Sequence, residues 1–306
     1  MYEKIVLVSR KTRLEDLVAR FNSKSQAKFY LEHAGGDFDD YEREDSAYRA
    51  SLDHVRRGLE LGLKMQVMDR SFVPTYQFDG RDLVVAVGQD GLVANTAKYV
   101  GEQPLVGVNP DPERFDGVLL PFRPDQARTA VAGVLEGKAR LRSVTLAEAV
   151  LNDGQRLLAF NDLFIGARSH VSARYRIAWG GKEEPHSSSG IIVSTGAGST
   201  GWLSSVFHMA AGVAAFTGGK AGKGMTLAWE DPRLVFVVRE PFVSRHSQAG
   251  IVMGLVEGGQ EIVLESRMPS GGVIFSDGVE ADFVEFSSGA IVRVRAAGKK
   301  ARLVAG

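Results

Sequence analysis

An α/β amino-terminal domain followed by a β-rich, mainly antiparallel carboxyl-terminal domain is what the sequence predicts, and three observations carry that reading. Short apolar runs alternate with stretches of helical periodicity as far as about residue 135, the pattern of βα units on a parallel sheet. One of those runs, residues 83–87, is apolar without alternation and rich in β-branched residues, as a strand covered on both faces requires. After Arg142 short strand-like segments follow one another with a single helical interruption, which suits antiparallel pairing. The expected domains are residues 1–140 and 141–306.

In the first domain, residues 4–9 read as a buried strand and residues 14–33 as a helical region that breaks near Asn22. Residues 35–45 carry six acidic side chains and one arginine, read as a solvated acidic loop. A helix follows over 48–61, with Leu52, Val55 and Leu59 on one stripe. Strands are expected at 64–68, 83–87 and 105–108, and helices at 92–100 and 126–135. In the second domain, strands are expected at 143–150, 156–165, 173–179, 190–194, 234–239, 261–266, 272–276, 290–294 and 301–304. Its one helix runs from about 199 to 215. The glycine- and lysine-rich tract 217–225 reads as a mobile loop.

Composition removes several classes of function. The 306 residues are 44% hydrophobic and 24% charged, those of an ordinary globular protein. Lysine plus arginine and aspartate plus glutamate both number 37, so no overall field draws the chain to nucleic acid or to a membrane. With no cysteine there is no disulfide or thiol chemistry, and the six histidines have no close metal-binding spacing. The first expected strand begins almost at residue 1, and no apolar run approaches membrane-spanning length. A cytoplasmic protein is expected.

The strand at 83–87 ends abruptly in Gly88, Gln89, Asp90 and Gly91. Glycine lets the backbone turn sharply and approach a ligand, and Asp90 then stands between a strand's carboxyl end and a helix's amino end, where open α/β sheets bind ligands. Exposed helix amides at that place favour phosphate. Taken alone, the turn reads first as an ordinary βα connection in which Asp90 caps the next helix, and the rest of the chain has to favour the ligand site. The strand at 105–108 delivers a second, proline-punctuated loop that starts at Asn109.

Two stretches of the second domain have related chemistry. Residues 187–202 form a strand and then a turn rich in glycine and hydroxyls, including Gly198, Ser199, Thr200, Gly201 and Trp202. Such a turn approaches and hydrogen-bonds a polar ligand at a helix start, or simply caps the helix through Ser199 or Thr200. Asn161 and Asp162, at the head of an apolar segment, suit hydroxyls or an adenine edge, or an Asx turn. Polar sites at several element boundaries fit a nucleotide cleft between two domains.

In these residues the chain resembles the NAD kinase family, and more closely its mitochondrial-type branch. The likeness rests on the strand with Gly88-Gln89-Asp90-Gly91, the segment from Gly107 to Arg114, Asn161-Asp162 with Leu163-Phe164-Ile165-Gly166, the turn from Ser194 to Trp202, and Asp277-Gly278 followed by Ser288-Gly289-Ala290-Ile291. It implies the two-domain family fold, homodimers or homotetramers, and transfer of the ATP γ-phosphate, with Mg2+, to the adenosine ribose 2′-hydroxyl of NAD. By motif position Asp90 is implied as the general base, and Gly88 and Gly91 as the glycines beside the phosphates. Asn161 and Asp162 hold the dinucleotide, while Thr200, Gly201, Trp202 and Ser205 line the same pocket. Gln89, Asn109, Gly198 and Ser199 complete the expected contacts.

The chain departs from the family at several places. Gln89 stands where glycine is usual, so a requirement for positive φ would strain it and its amide would otherwise reach a phosphate or ribose. Asp162 is one methylene shorter than the common glutamate, Trp202 replaces tyrosine, and Ser189 replaces an aspartate frequent in bacterial members. Candidate phosphate clamps are Arg168, Arg174, Lys182, Arg239 and Arg245. Two other readings compete: a nucleotide-binding protein without turnover, and a kinase of lipid or sugar hydroxyls sharing the Gly-x-Asp-Gly turn.

Overall fold

A computed structural model describes residues 2–220 and 222–306, arranged as two compact units. One extends to Arg142 and takes back Arg302–Gly306; the other is Ser143–Ala301.

The first unit contains strands β1 (Lys4–Ser9), β2 (Lys64–Asp69), β3 (Asp82–Val87) and β4 (Pro104–Val108), with helices α1 (Arg13–Phe21), α2 (Lys24–His33), α3 (Phe38–Gly58), α4 (Asp90–Val100) and α5 (Ala127–Leu135). The strands lie in the order β2-β1-β3-β4, all parallel. Residues 302–303 of the chain's last strand extend the sheet, pairing in parallel with Pro104 and Leu105. Every residue of β3 is buried, as its unbroken apolar run requires. Tyr48 and Val55 of α3, Leu59 at its C-cap and Val131 of α5 pack with Ile5, Leu7, Val85 and Val106 of the sheet. Asn22, at φ 60°, separates α1 from α2 at the expected break.

The acidic stretch 35–45 is not a solvated loop: most of it forms the first turns of α3. Asp37 caps that helix by accepting from the Asp40 amide at 3.2 Å. Asp39 and Asp40 occupy the first turn, where the helix dipole favours carboxylates. Glu44 is buried and accepts from Arg10 at 2.8 Å and Arg13 at 2.6 Å. Of the six acidic side chains Glu44 alone is buried and paired inside the fold, while Asp37 and Asp39 stay exposed to water at the helix start.

The second unit holds β5 (Leu141–Leu151), β6 (Arg156–Ala159), β7 (Asp162–Ala167), β8 (Ala173–Trp179), β9 (Lys182–Ser188), β10 (Ile191–Ser194), α6 (Trp202–Phe216), β11 (Leu234–Val238), β12 (Met253–Val256), β13 (Ile262–Ser266), β14 (Gly272–Ser276), β15 (Val279–Glu285) and β16 (Ile291–Val304). One antiparallel sheet has the order β12-β11-β10-β7-β14-β15. The other runs β16-β13-β8-β9, with β5 pairing β16 and β6. Leu163, Ile191, Phe236 and Ile274 of the first sheet share a core with Tyr175, Ile177, Leu264 and Val292 of the second.

Three strands, β9, β12 and β15, were absent from the sequence expectation, and each ends its sheet. Edge strands carry polar residues and tolerate proline because one side of the backbone is unpaired; β9 reads Lys-Glu-Glu-Pro-His-Ser-Ser. The expected strand 156–165 divides at Phe160 and Asn161, and the expected strands 290–294 and 301–304 are one continuous strand, β16. The tract 217–225 contains no strand among its described residues, and Ala221 lies outside them.

Candidate functional site

The turn after β3 is built by the strand on one side and the loop after β4 on the other. Gly88 donates its amide to the Val108 carbonyl at 3.2 Å, and a Cβ there would stand 2.8 Å from the Leu92 side chain. Gln89 is the N-cap residue of α4, with extended backbone at φ −112° and no side-chain cap. The strain that a positive φ would impose on glutamine is therefore absent. Gly91 is exposed and has open space where a Cβ would point.

Asp90 does not cap the helix. Its carboxylate reaches across to the next loop and accepts from the Leu119 amide at 2.7 Å and the Val118 amide at 3.2 Å. Asn109 shapes the same loop from its other end: its side-chain amide donates to the Phe115 carbonyl at 2.8 Å, and its Oδ1 accepts from Asp111 N at 3.1 Å. Asp90 and Asn109 thus meet on one loop, as expected of residues delivered by neighbouring strands.

Beneath this turn lies a polar layer the sequence reading missed. The Tyr48 hydroxyl donates to the Val87 carbonyl at 3.0 Å and accepts from Arg10 N at 2.9 Å. Burial pushes the Tyr48 phenol up to about 12, so it stays protonated. Burial opposes ionisation of Glu44, but Arg13 and Arg10 outweigh it and hold the carboxyl below its usual range. The signal lay in the arginines right after β1 and the acidic residues of α3, charges that find each other only in three dimensions.

In the second unit Asn161, Asp162, Gly198 and Trp202 converge. Asp277, in left-handed conformation at φ 55°, accepts from the amides of Asn161 at 2.6 Å, Phe160 at 3.1 Å and Asp162 at 3.4 Å. This breaks β6 from β7 and presents Asn161. Thr195 ties the same segment to the turn, donating its hydroxyl to the Phe160 carbonyl at 2.6 Å and its amide to Asn161 O at 2.9 Å. The approach is close enough that a Cβ on Gly198 would lie 2.1 Å from the Asn161 carbonyl oxygen. Asp162 is buried, and desolvation, reinforced by the charge of Asp277, pushes its carboxyl up to about 7.

Ser199 is also buried; its hydroxyl donates to the Gly196 carbonyl at 2.7 Å and accepts from Leu227 N at 3.2 Å, so it braces the turn. Thr200, Gly201 and Ser205 are exposed. Trp202 stacks on Phe164 at 5.8 Å between centroids, and Phe164 on Phe275 at 4.8 Å. These rings wall a hollow of about 810 Å³ that also receives Arg168, His170, Ser189 and Arg239. Arg239 lies over the Trp202 ring at 5.4 Å and Arg168 over Phe283 at 4.8 Å. The other candidate clamps, Arg174, Lys182 and Arg245, are exposed and do not line it.

This pair of units is the architecture of solved NAD and NADH kinases. Yeast NADH kinase complexed with NADH superposes with a TM-score of 0.58 at 14% identity, covering 100% of this chain and 84% of that one. An NAD kinase from Archaeoglobus fulgidus in complex with ATP gives 0.54 at 16% identity, covering 98% and 93%. In sequence, the chain is 24% identical over 315 residues to NAD kinase 2, mitochondrial, of Rattus norvegicus, spanning 79% of this chain and 74% of that protein. It is 28% identical over 124 residues to the NAD kinase of Chlorobaculum tepidum, spanning 40% and 43%. No protein-family model matches. In sequence and in fold the chain is thus similar to NAD kinases.

Proposed function

We propose that the protein is an ATP-dependent NAD kinase that phosphorylates the adenosine ribose 2′-hydroxyl of NAD to give NADP, with Asp90 as general base. The observation that carries the role of Asp90 is its placement: a carboxylate at the carboxyl end of a fully buried parallel strand, oriented by two backbone amides rather than neutralised by a cation. Phosphoryl transfer through a loose transition state depends on alignment and charge neutralisation. A carboxylate is a far weaker base than an alkoxide, so in this role Asp90 orients the hydroxyl and accepts the proton late, as the new P–O bond forms.

In the second unit Asn161 offers a donor and an acceptor to the dinucleotide, and Asp162, near its midpoint at pH 7, can accept or, when protonated, donate. Trp202 and the aromatic wall of the hollow provide stacking faces. Among the described residues no three His, Asp or Glu side chains gather into a metal cage. On this reading Mg2+ would arrive together with the ATP phosphates. The ion would supply charge neutralisation to the transferring group. A homodimer or homotetramer in the cytoplasm belongs to the same proposal.

NADP formation from NAD, ATP and Mg2+, coupled to an NADP-specific dehydrogenase, tests the reading. Asp90→Asn should lower turnover by roughly 10²–10⁴-fold, the usual worth of a positioned general base. An undiminished rate in a folded variant removes Asp90 from that role. Tight NAD binding without any turnover by the unaltered protein favours the non-catalytic binding protein instead.

A further inference from the structure

Arg10 stands just beyond the end of β1, beside the turn that follows β3. Val8 is in register with Ala86, so two residues farther along the paired strands bring Arg10 next to Gly88. Accordingly, a Cβ built on Gly88 would lie 3.6 Å from Arg10 Cδ. The side chain is held on several sides. Nη2 donates to Glu44 Oε1 at 2.8 Å, Nη1 donates to the Lys11 carbonyl at 2.9 Å, and the guanidinium carbon sits 4.8 Å from the centroid of the Tyr48 ring. It is 9% exposed. One donor remains: Nε, bonded directly to Cδ on the Gly88 side, is buried and has no hydrogen-bond partner.

A buried charged donor left unpaired is costly, and a structure retains one where a partner arrives from outside. The surroundings select the sign of that partner. The first amides of α4 have no partner within the helix, and Gln89 offers no side-chain cap. The carboxylate nearest those amides, Asp90, is drawn off to Val118 and Leu119. The result is a helix amino end, a glycine turn without bulk and a held guanidinium gathered at the strand end, where α/β sheets take phosphates.

We propose that Arg10 is a phosphate anchor of the nucleotide donor, its Nε–H and the first amides of α4 gripping the ATP polyphosphate, with Glu44 tuning the guanidinium's strength. Arg13 is excluded from this role because Nε and Nη2 are already spent on Glu44 and Asp40. The assignment rests on the ATP-dependent reading above, but its test does not need turnover.

Binding of ATP, of inorganic tripolyphosphate and of NAD is measured by calorimetry on the wild type, Arg10→Lys and Glu44→Gln, with thermal melts confirming the fold. Arg10→Lys keeps the charge and loses the fixed fork, so the Kd for ATP and tripolyphosphate should rise roughly tenfold or more, with that for NAD unchanged. Glu44→Gln removes the competing carboxylate and should tighten both polyphosphates severalfold. A purely structural ion pair predicts no opposition of sign: unchanged polyphosphate affinity in folded Arg10→Lys, or weakening in both variants, overturns the anchor. Should Arg10→Lys fail to fold, Glu44→Gln decides alone, since unchanged or weaker binding there also refutes it. If the wild type binds tripolyphosphate in this pattern but makes no NADP, the kinase reading fails and the anchor stands.

Discussion

The turn after β3 and the turn after β10 share one sequence description, a buried apolar strand running into glycines and small polar residues before a helix, yet they use those residues differently. After β3 the glycines leave space: Gly91 faces nothing within 4 Å, and Gly88 is crowded only by the movable Leu92 side chain. After β10 they are filled in. A Cβ on Gly196 would stand 1.8 Å from the Ala228 carbonyl oxygen and one on Gly198 2.1 Å from that of Asn161, while Thr195 and Ser199 spend their hydroxyls on neighbouring backbone. Glycine permits close approach, but what approaches is open space for a ligand in one case and the protein's own backbone in the other.

The sharpest way to break this comparison is to add one methyl group to each turn. Gly198→Ala should destabilise the fold by roughly 3 kcal/mol or more, because backbone cannot yield as a side chain end does. Gly91→Ala should leave stability within about 0.5 kcal/mol, while changing the Kd for ATP if the open space receives phosphate. Urea unfolding of the two variants measures the first contrast. Equal destabilisation would mean the two turns are packed alike.

A second contrast is electrostatic. Asp90 lies partly open beside backbone donors, whereas Asp162 is buried against Asp277 and titrates near 7. Its carboxyl is raised from 3.8 in the unfolded chain to about 7 in the folded one, so between these values the native state binds the extra proton. Stability contributed by Asp162 is therefore full below about pH 4 and is lost as pH rises through 7, by up to about 4 kcal/mol at 1.36 kcal/mol per pKa unit. Asp162→Asn should remove that slope and make the protein more stable at pH 8, though weaker for NAD where an ionised acceptor is needed. Chemical denaturation at pH 5, 6, 7 and 8 checks the sign; a parallel pH dependence in the variant would take Asp162 out of the explanation.

What could be read beforehand follows the same division. The parallel core was legible because β1, β3 and β4 are apolar runs whose burial needs no knowledge of partners. The edge strands β9, β12 and β15 were not, since an edge is defined by the missing neighbour; β9 is polar and carries a proline, and β12 is only four residues long. Among the expected site residues, Asp90 and Asn109 in the first unit and Asn161 and Trp202 in the second were visible as polar or aromatic groups at element boundaries. Arg10 and Tyr48 were not visible as site residues, because the layer beneath the turn joins segments 34 to 39 positions apart. Asp277, though part of a recognised motif, showed its work of holding three amides only in the fold. Ser199 and Thr200 had looked equivalent, and burial alone separates a brace from an exposed hydroxyl.

The smallest expected effect concerns Gln89, whose side chain is the chief departure from the family at the open turn. Its extended backbone at φ −112° is one any residue adopts, so replacing it with glycine relieves no strain; as an N-cap residue without a side-chain hydrogen bond, it also gives up no cap. Gln89→Gly should therefore change stability by no more than about 0.5 kcal/mol. With Gln89 partly exposed beside the helix amides, ATP affinity should fall slightly, within about fivefold, through loss of a neutral hydrogen bond. A tenfold gain in ATP affinity, measured by calorimetry, would show that the glutamine obstructs the phosphates and that this turn is less open than its glycines suggest.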